Sequence, residues 1–488
     1  VRQAVMNHSI RRVGMILGLL VLLLMVNVNI QQVFMAGETR DRPGNQRTVL
    51  EEYDRERGPI LVGSDPVARS IPTDDQYKYL RRYSAGPLYA PATGFYSALY
   101  GATGIERTEN DVLAGTSDLF LVDRLQQLLS GRESKGGAVG LTLNAAAQKA
   151  AFEGLSGKVG SVTAIDPSTG AILAMASSPS YDPNLLSTHD LAASQKAYEK
   201  LESDPNKPLL NRPLVSNPPP GSTFKLVTTA AALESGRFTP TTIVPGPASY
   251  KLPGTSVELK NWQGTACGPG GKTTLTNALA VSCNSAFAWL GNQLGQDALR
   301  AQAEKFGFNM SFTVPMRSAT SRYPTGLDDA QTAMSAIGQF DVTATTLQMA
   351  MVGAAIGNNG ITMNPYLVKE IRGADLQILQ TASPSQFATA LSPANAKAEM
   401  GMMVDVVENG TGSNARIPGV EVGGKTGTAE TGPGRPAVAW FVAVAPGDSA
   451  KVAVAVCIEN AGGRSEISGN GLAAPIAKNV IEAVLASQ

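Results

Sequence analysis

Apolar residues run unbroken from Val13 to Val26, and the run continues through Asn27 and Asn29 to Ile30, preceded by Arg2, Arg11 and Arg12. Eighteen helical residues reach about 27 Å, just enough for a thin bilayer core. A cleaved secretory signal is the competing reading. The tripeptide before Gly37 is Phe34-Met35-Ala36, however, and Phe34 is not small enough for a cleavage site. The pattern predicts an uncleaved signal anchor over residues 13–34, with residues 1–12 as a cytoplasmic tail. Arginines also follow the run (Arg40, Arg42 and Arg47), so charge alone orients it only weakly.

Residues 36–57 are charged and interrupted by Gly and Pro, as in a juxtamembrane linker. Residues 58–140 are rich in Tyr and Gly and show short mixed elements, with a loop over Gly131–Gly137. Tyr77, Tyr79, Tyr83, Tyr89, Tyr96 and Tyr100 are expected to pack this small pedestal domain, taken as residues 35–140.

From Val139 the pattern sharpens. Val159–Ile165 and Ala171–Ala176 read as strands joined by a turn at Asp166–Gly170. Pro218-Pro219-Pro220-Gly221 stops regular structure, and a helix is predicted from Ser222 to Glu234 with Gly236 just past its end. Thr276–Ala280 and Ser285–Leu294 form a helical pair around Ser282. Three strands follow near the end, Val420–Thr428, Val438–Ala445 and Val452–Glu459, and then a closing helix, Ala473–Ala486. Strands at both ends with helices between predict one α+β domain over residues 141–488. Its central antiparallel sheet would join the first and last segments and be flanked by helices.

Composition narrows the chemistry. The 488 residues carry 40 basic and 40 acidic side chains, so no basic field draws in nucleic acid. Histidine occurs only as His8 and His189, which disfavours a His-based metal site and leaves one distant candidate for a His-dependent triad. His189, within Ser187–Asp190, reads as a solvated loop residue. Cys267, Cys283 and Cys457 form no C-x-x-C pair, so zinc and redox chemistry are not indicated. Cys457 sits in an apolar strand. No metal or cofactor is expected.

Three short motifs carry the candidate chemistry. Ser222-Thr223-Phe224-Lys225 places a hydroxyl and an amine on one helical face. A serine is a weak nucleophile until a base takes its proton, and lysine can be that base if burial or a second cation depresses its pKa. The helix N-terminus would favour a developing anion. Ser282-Cys283-Asn284 offers a hydroxyl to relay protons and an amide to bond a substrate amide. Ser468-Gly469-Asn470 has the same pattern but reads as a cap beside a Gly turn. Lys425-Thr426-Gly427-Thr428 ends a strand in which glycine would let an extended peptide approach by strand addition. Lys425 with Thr426 and Thr428 would meet a terminal carboxylate, and the N–H groups of Ser222 and Thr428 would form an oxyanion hole. Gly419–Thr426 also satisfies the P-loop pattern, but no helix can follow it, so phosphate binding is set aside.

Each motif alone is weak. In the order S-x-x-K, S-x-N, K-T-G they form a set found in penicillin-binding proteins and class A β-lactamases. The chain resembles a class B penicillin-binding protein, most closely the actinobacterial branch of that family. Arg57-Gly58-Pro59-Ile60, Tyr83–Gly86 and Gly104-Ile105-Glu106 resemble pedestal segments. So do Leu141–Asn144, Gly170–Met175, Asn211-Arg212-Pro213, Pro220–Lys225, Gly338-Gln339 and Trp440-Phe441 in the catalytic domain. One departure is Gly63-Ser64, where the family usually has an acidic-basic pair.

The resemblance implies a membrane-anchored D,D-transpeptidase with its catalytic domain outside the cytoplasmic membrane. Ser222 would attack the carbonyl of the penultimate D-Ala of a stem peptide, Lys225 would accept its proton, and Ser282 would pass a proton to the departing D-Ala. An amino group of a neighbouring stem would then take the acyl group. β-Lactams would acylate Ser222, and division or elongation proteins are the implied partners. No Glu-x-x-Leu-Asn lies between Ser282 and Lys425, which argues against a β-lactamase, and residues 36–140 are too few for a glycosyltransferase. A carboxypeptidase, a β-lactam sensor and a non-catalytic division scaffold are the alternatives. In an oxidising compartment Cys267 and Cys283 are expected to pair and pin the Ser282 loop, with two free thiols as the alternative.

Overall fold

The structure is a computed structural model and describes residues 2–30, 53–121, 135–432, 436–461 and 467–487. The linker expected at 36–57 and the loop at 131–137 fall largely outside them. Helix α1 (Arg2–Asn29) carries an apolar stretch, Ile10–Asn29, with mean hydropathy 2.0 and none of it buried. At 1.5 Å per residue it is about 30 Å long and fits a single-pass membrane anchor.

The pedestal is built on a six-stranded sheet. Strands β1 (Ile60–Val62), β2 (Asp65–Pro72) and β3 (Tyr79–Tyr83) form an antiparallel meander. β4 (Ala138–Leu141) runs parallel to β1, pairing Ile60 with Val139. Beyond β4 the sheet recruits a distant hairpin, β7 (Val368–Arg372) and β8 (Ile378–Thr381). Its centre is ionic. Buried Glu106 accepts from Arg57 Nε and Arg81 Nε, each at 2.6 Å. Burial pushes the Glu106 carboxyl up, but the two guanidiniums outweigh it and hold it below its usual range. Tyr77, Tyr83, Tyr89 and Tyr96 are buried as expected. His189 departs from expectation. Its side chain is only 13% exposed, and Nδ1 lies 2.5 Å from Asp75 Oδ2 of the pedestal. The ring packs against Tyr53 and Tyr77, which exclude solvent from it.

The second sheet has the order β9 (Gly423–Ala429), β10 (Val438–Ala445), β11 (Val452–Asn460), β5 (Val159–Ile165), β6 (Ile172–Ser178). Every pairing is antiparallel, so the first and last segments of the domain meet at β11 and β5, with Cys457 opposite Ser161. β10 is buried along its whole length because both faces are covered. Val438, Trp440, Val442 and Val444 join one core, and Ala439, Phe441, Ala443 and Ala445 the other. That is why its sequence is a continuous apolar run rather than an alternation. Helix α4 (Thr346–Gly357) lies on the first face, where Gly353 approaches Val442 and Val444. Helices α2 (Ala145–Gly154) and α5 (Ala474–Leu485) cover the second.

Several expected boundaries move by one to three residues. The strand predicted from Val420 begins at Gly423, because Ile417 and Val420 form a bridge around Gly419. The closing helix begins at Ala474, after a π-turn over Gly469–Ala473. Ser468 caps that turn by accepting from Gly471 N, the role expected of it.

Candidate active site

The three prolines deliver Ser222 to the edge of the second sheet. Trp440 Nε1 donates to Pro219 O at 2.9 Å, Ala344 N to Pro218 O at 3.0 Å, and Gly221 N to Gly338 O at 3.0 Å. Two backbone hydrogen bonds and one from an indole therefore fix the approach. The predicted helix over Ser222–Glu234 is corrected here. Gly221–Phe224 form a 3-10 turn, and helix α3 proper is Lys225–Glu234. The polyproline exit and the Thr223 hydroxyl, which bonds Pro220 O at 2.7 Å, keep the first turn tight. Gly236 stands just past the helix end with φ +68°.

Lys225 is completely buried, and its ammonium has three acceptors: Ser282 O at 2.8 Å, Ser282 Oγ at 3.2 Å and Asn284 Oδ1 at 2.8 Å. Lys425 is equally buried and donates to the same Ser282 Oγ at 2.9 Å and to Thr426 O at 3.1 Å. One hydroxyl thus sits between two lysines. Burial drives the Lys225 pKa well below the lysine range, and the neighbouring Lys425 charge lowers it further. Burial alone brings Lys425 down to about 7. Two buried cations this close disfavour double protonation, so the pair holds a neutral amine near neutral pH.

The Ser222 hydroxyl is part-buried and has no hydrogen bond among the described residues. The spacing placed Lys225 in reach of it, whereas all three Lys225 hydrogen bonds go to Ser282 and Asn284. Ser282 holds a left-handed backbone at φ +58°, unusual for a residue with a Cβ. Strain of that kind persists where the surroundings over-determine it. Here Ser282 N bonds Leu279 O and Cys283 N bonds Ala278 O, at 3.1 and 2.8 Å. Cys283 is bonded to Cys267 through their sulfurs, sixteen residues apart. Cys457 is a buried free thiol.

A Cys267→Ser substitution is expected to loosen this loop by about 3 kcal/mol, the entropy of a closed loop of that length. Hydrogen exchange across residues 261–284 should then lose roughly a hundred-fold protection. Unchanged protection would show that the covalent link adds nothing to the loop's stability.

Strand β9 forms an edge of the sheet. Its Gly427 is required by contact, since a Cβ there would stand 2.9 Å from Trp440 Cβ and 3.0 Å from Pro220 O. The Ser222 turn and β9 therefore touch through backbone, and Gly221 lies against the Thr428 carbonyl. Thr428 is exposed on the cleft edge, and Thr426 Oγ1 bonds Thr411 Oγ1 at 2.7 Å. Lys425 and Thr426 lie inside strand β9 where a P-loop needs a helix to begin, so the P-loop pattern has no counterpart among the described residues.

The structure thus brings Ser222, Lys225, Ser282, Asn284, Lys425, Thr426, Gly427 and Thr428 to one end of the sheet. Sequence reading missed Thr411 and Asn261. Asn261 accepts from Ser285 N at 2.9 Å and donates to Pro247 O and Thr265 O. Neither residue carries a local signal, because the partners that matter lie 14–24 residues away. Among the described residues no cluster of three metal-ligating side chains occurs.

Comparison with known proteins identifies the family. The penicillin binding protein transpeptidase domain matches residues 160–482, and the penicillin binding protein A dimerisation domain matches residues 57–139. The chain is 45% identical to peptidoglycan D,D-transpeptidase PbpA of Mycolicibacterium smegmatis, over 98% of this chain and 99% of that protein. It is 41% identical to PbpA of Mycobacterium tuberculosis over the same shares. The structure is similar to penicillin-binding protein A from M. tuberculosis in its penicillin G acyl-enzyme complex. There the TM-score is 0.84 at 41% identity, covering 88% of this chain and 100% of that one. Against the ceftriaxone acyl-enzyme complex it is 0.87.

Proposed function

The chain belongs to the transpeptidase family of penicillin-binding proteins, and from that premise we infer how its own residues perform the reaction. It is a peptidoglycan D,D-transpeptidase, an acyl-transferring serine enzyme that binds stem peptides and is acylated by penicillins. The observation that carries the residue assignment is the convergence of Lys225, three residues after Ser222, and Lys425 on the hydroxyl of Ser282.

A neutral Lys225 keeps two hydrogens for Ser282 O and Asn284 Oδ1, which leaves its lone pair for the Ser222 proton. Ser222 Oγ then adds to the carbonyl of the penultimate D-Ala. The N–H groups of Ser222 and Thr428 take the oxyanion. The terminal carboxylate lies along β9, met by Thr426, Thr428 and the Lys425 charge. As the tetrahedral adduct collapses, Ser282 hands a proton to the departing D-Ala amine and is reprotonated by a lysine bonded to it. The acceptor amine repeats these steps in reverse order. The proton moves between Ser282 and the two lysines are between groups already within hydrogen-bond distance.

The domain division follows the same reading, with residues 35–140 as pedestal and 141–488 as the catalytic unit, the pedestal sheet borrowing β7 and β8. We place the catalytic domain outside the membrane, where its substrate is and where the Cys267–Cys283 bond would persist. A division or elongation assembly is the proposed setting.

The test is D-Ala release by the full chain in detergent from a donor peptide ending in D-Ala-D-Ala, with and without an acceptor amine. Wild-type protein should release D-Ala, and Ser222→Ala should fall to background, a loss of at least about 10⁴-fold. Equal release by the two proteins would reject Ser222 as the nucleophile. Release with no cross-linked product would assign the water-accepting reaction instead.

A further inference from the structure

Among the described residues, the largest apolar side chain left in solvent outside the anchor is Trp262, 80% exposed. Its indole joins no hydrophobic core cluster among them, so folding does not call for it. The backbone beneath it is nevertheless held rigidly. Asn261, the preceding residue, is buried and bonded through both amide atoms to Pro247, Thr265 and Ser285. Gly264 N closes a turn onto Asn261 O at 2.9 Å, and Gln263 and Gly264 take left-handed backbone at φ +58° and +64°. That turn leaves the indole outside the fold. Five residues on, Cys267 is bonded to Cys283. The segment is thus pinned to the Ser282-Cys283-Asn284 loop by hydrogen bonds and by a covalent bond.

A second contact sets this segment at the substrate cleft. Asn284 Nδ2 donates to Lys260 O at 3.1 Å, two residues before Trp262. The amide assigned to bind a substrate peptide group therefore rests on the strand that leads into the tryptophan. The direction of the donor follows from the reaction. Its terminal carboxylate lies at β9 and its scissile carbonyl at Ser222. The chain N-terminal to the D-Ala pair is assigned the path past Asn284, whose amide is bonded to Lys260 O at the start of the Trp262 segment.

We propose that Trp262 is a specificity-determining residue whose indole face receives the residue immediately N-terminal to D-Ala-D-Ala in the donor stem. An indole offers a wide apolar face for the aliphatic arm of a diamino residue and attracts an ammonium at its tip. Its place on a pre-organised turn means little entropy is lost when the arm lands. The inference rests on the transpeptidase reading above.

The test uses the full chain in detergent and two thioester donors. One is an acetyl-D-alanyl thioester, and the other carries a lysine before the D-Ala. Trp262→Ala should lower kcat/KM for acylation by the longer donor about ten-fold and leave the short donor within about two-fold. Trp262→Phe should retain most of the long-donor rate. The other tryptophans, Trp289 and Trp440, are packed in the protein, so the exposed indole dominates the change in fluorescence when the longer donor binds, and Trp262→Phe should abolish it. Equal losses on both donors would overturn the inference in favour of a structural role. No loss on either would also overturn it and leave the indole for a macromolecular partner. Failure of wild-type protein to react with either donor would reject the transpeptidase reading and this inference together.

Discussion

Replacing Lys225 by methionine is expected to slow acylation of Ser222 by about 10²- to 10⁴-fold, the usual worth of a positioned base, while the folded protein survives. The side chain is buried, so a stem of similar volume fills its space. What is lost is the amine that can take the Ser222 proton. Stopped-flow acylation with a fluorescent penicillin measures this directly, and a loss of less than ten-fold would move the base elsewhere.

The pH dependence gives the prediction a second readout. In wild-type protein the free-enzyme kcat/KM should rise with pH through the lowered Lys225 value, as the neutral amine forms. It should bend downward near 7, where Lys425 loses the charge that meets the donor carboxylate. Lys225→Met should abolish the acid limb. Stability follows with its own sign. An unfolded lysine binds its proton up to 10.5, whereas folded Lys225 gives it up earlier. Between those values the unfolded state holds more protons, so stability rises with pH. Lys225→Met should flatten that slope and leave the protein no less stable, because burying an amine costs more than burying a thioether.

The second large effect is steric. Gly338 has φ +72°, and an added Cβ would stand 2.1 Å from the Gly221 carbonyl oxygen and 2.8 Å from Phe224 Cβ. No side chain can yield there, since the nearest atom belongs to the backbone turn that carries Ser222. Gly338→Ala must push that turn aside. Displacement of a nucleophile by about 1 Å costs roughly a hundred-fold in rate, and the left-handed backbone adds about 1–2 kcal/mol of instability for alanine. A melting curve and an acylation time course on one preparation separate the two. Unchanged acylation would mean that the contact between 338 and 221 does not position Ser222.

Much of this arrangement was legible in the sequence, and the legible parts share a physical cause. β10 and β11 announced themselves because both faces of the central strands are buried, which produces long apolar runs. The α+β architecture followed from finding strands at both ends of the region. The three motifs marked out the candidate site because each supplies its chemistry from adjacent residues. What stayed hidden depends on distant partners. Nothing near Val368–Thr381 signals that it completes the pedestal sheet. His189 looked solvated because the Asp75 and Tyr77 that enclose it are over a hundred positions earlier. The helix at Ser222 was read as continuous, since a 3-10 turn and an α-helical turn share nearly the same side-chain spacing. The convergence of two lysines on one hydroxyl, 57 and 143 residues from Ser282, joins distant segments and has no local signal in the sequence.

The central claim is that Ser222 is the residue that becomes acylated. Intact mass of the full chain after benzylpenicillin, with Ser222→Ala treated in parallel and a timed chase, tests it most directly. The account predicts one penicilloyl adduct that persists through the chase and is absent from Ser222→Ala. An adduct on the alanine variant, or none on the wild-type protein, would contradict it.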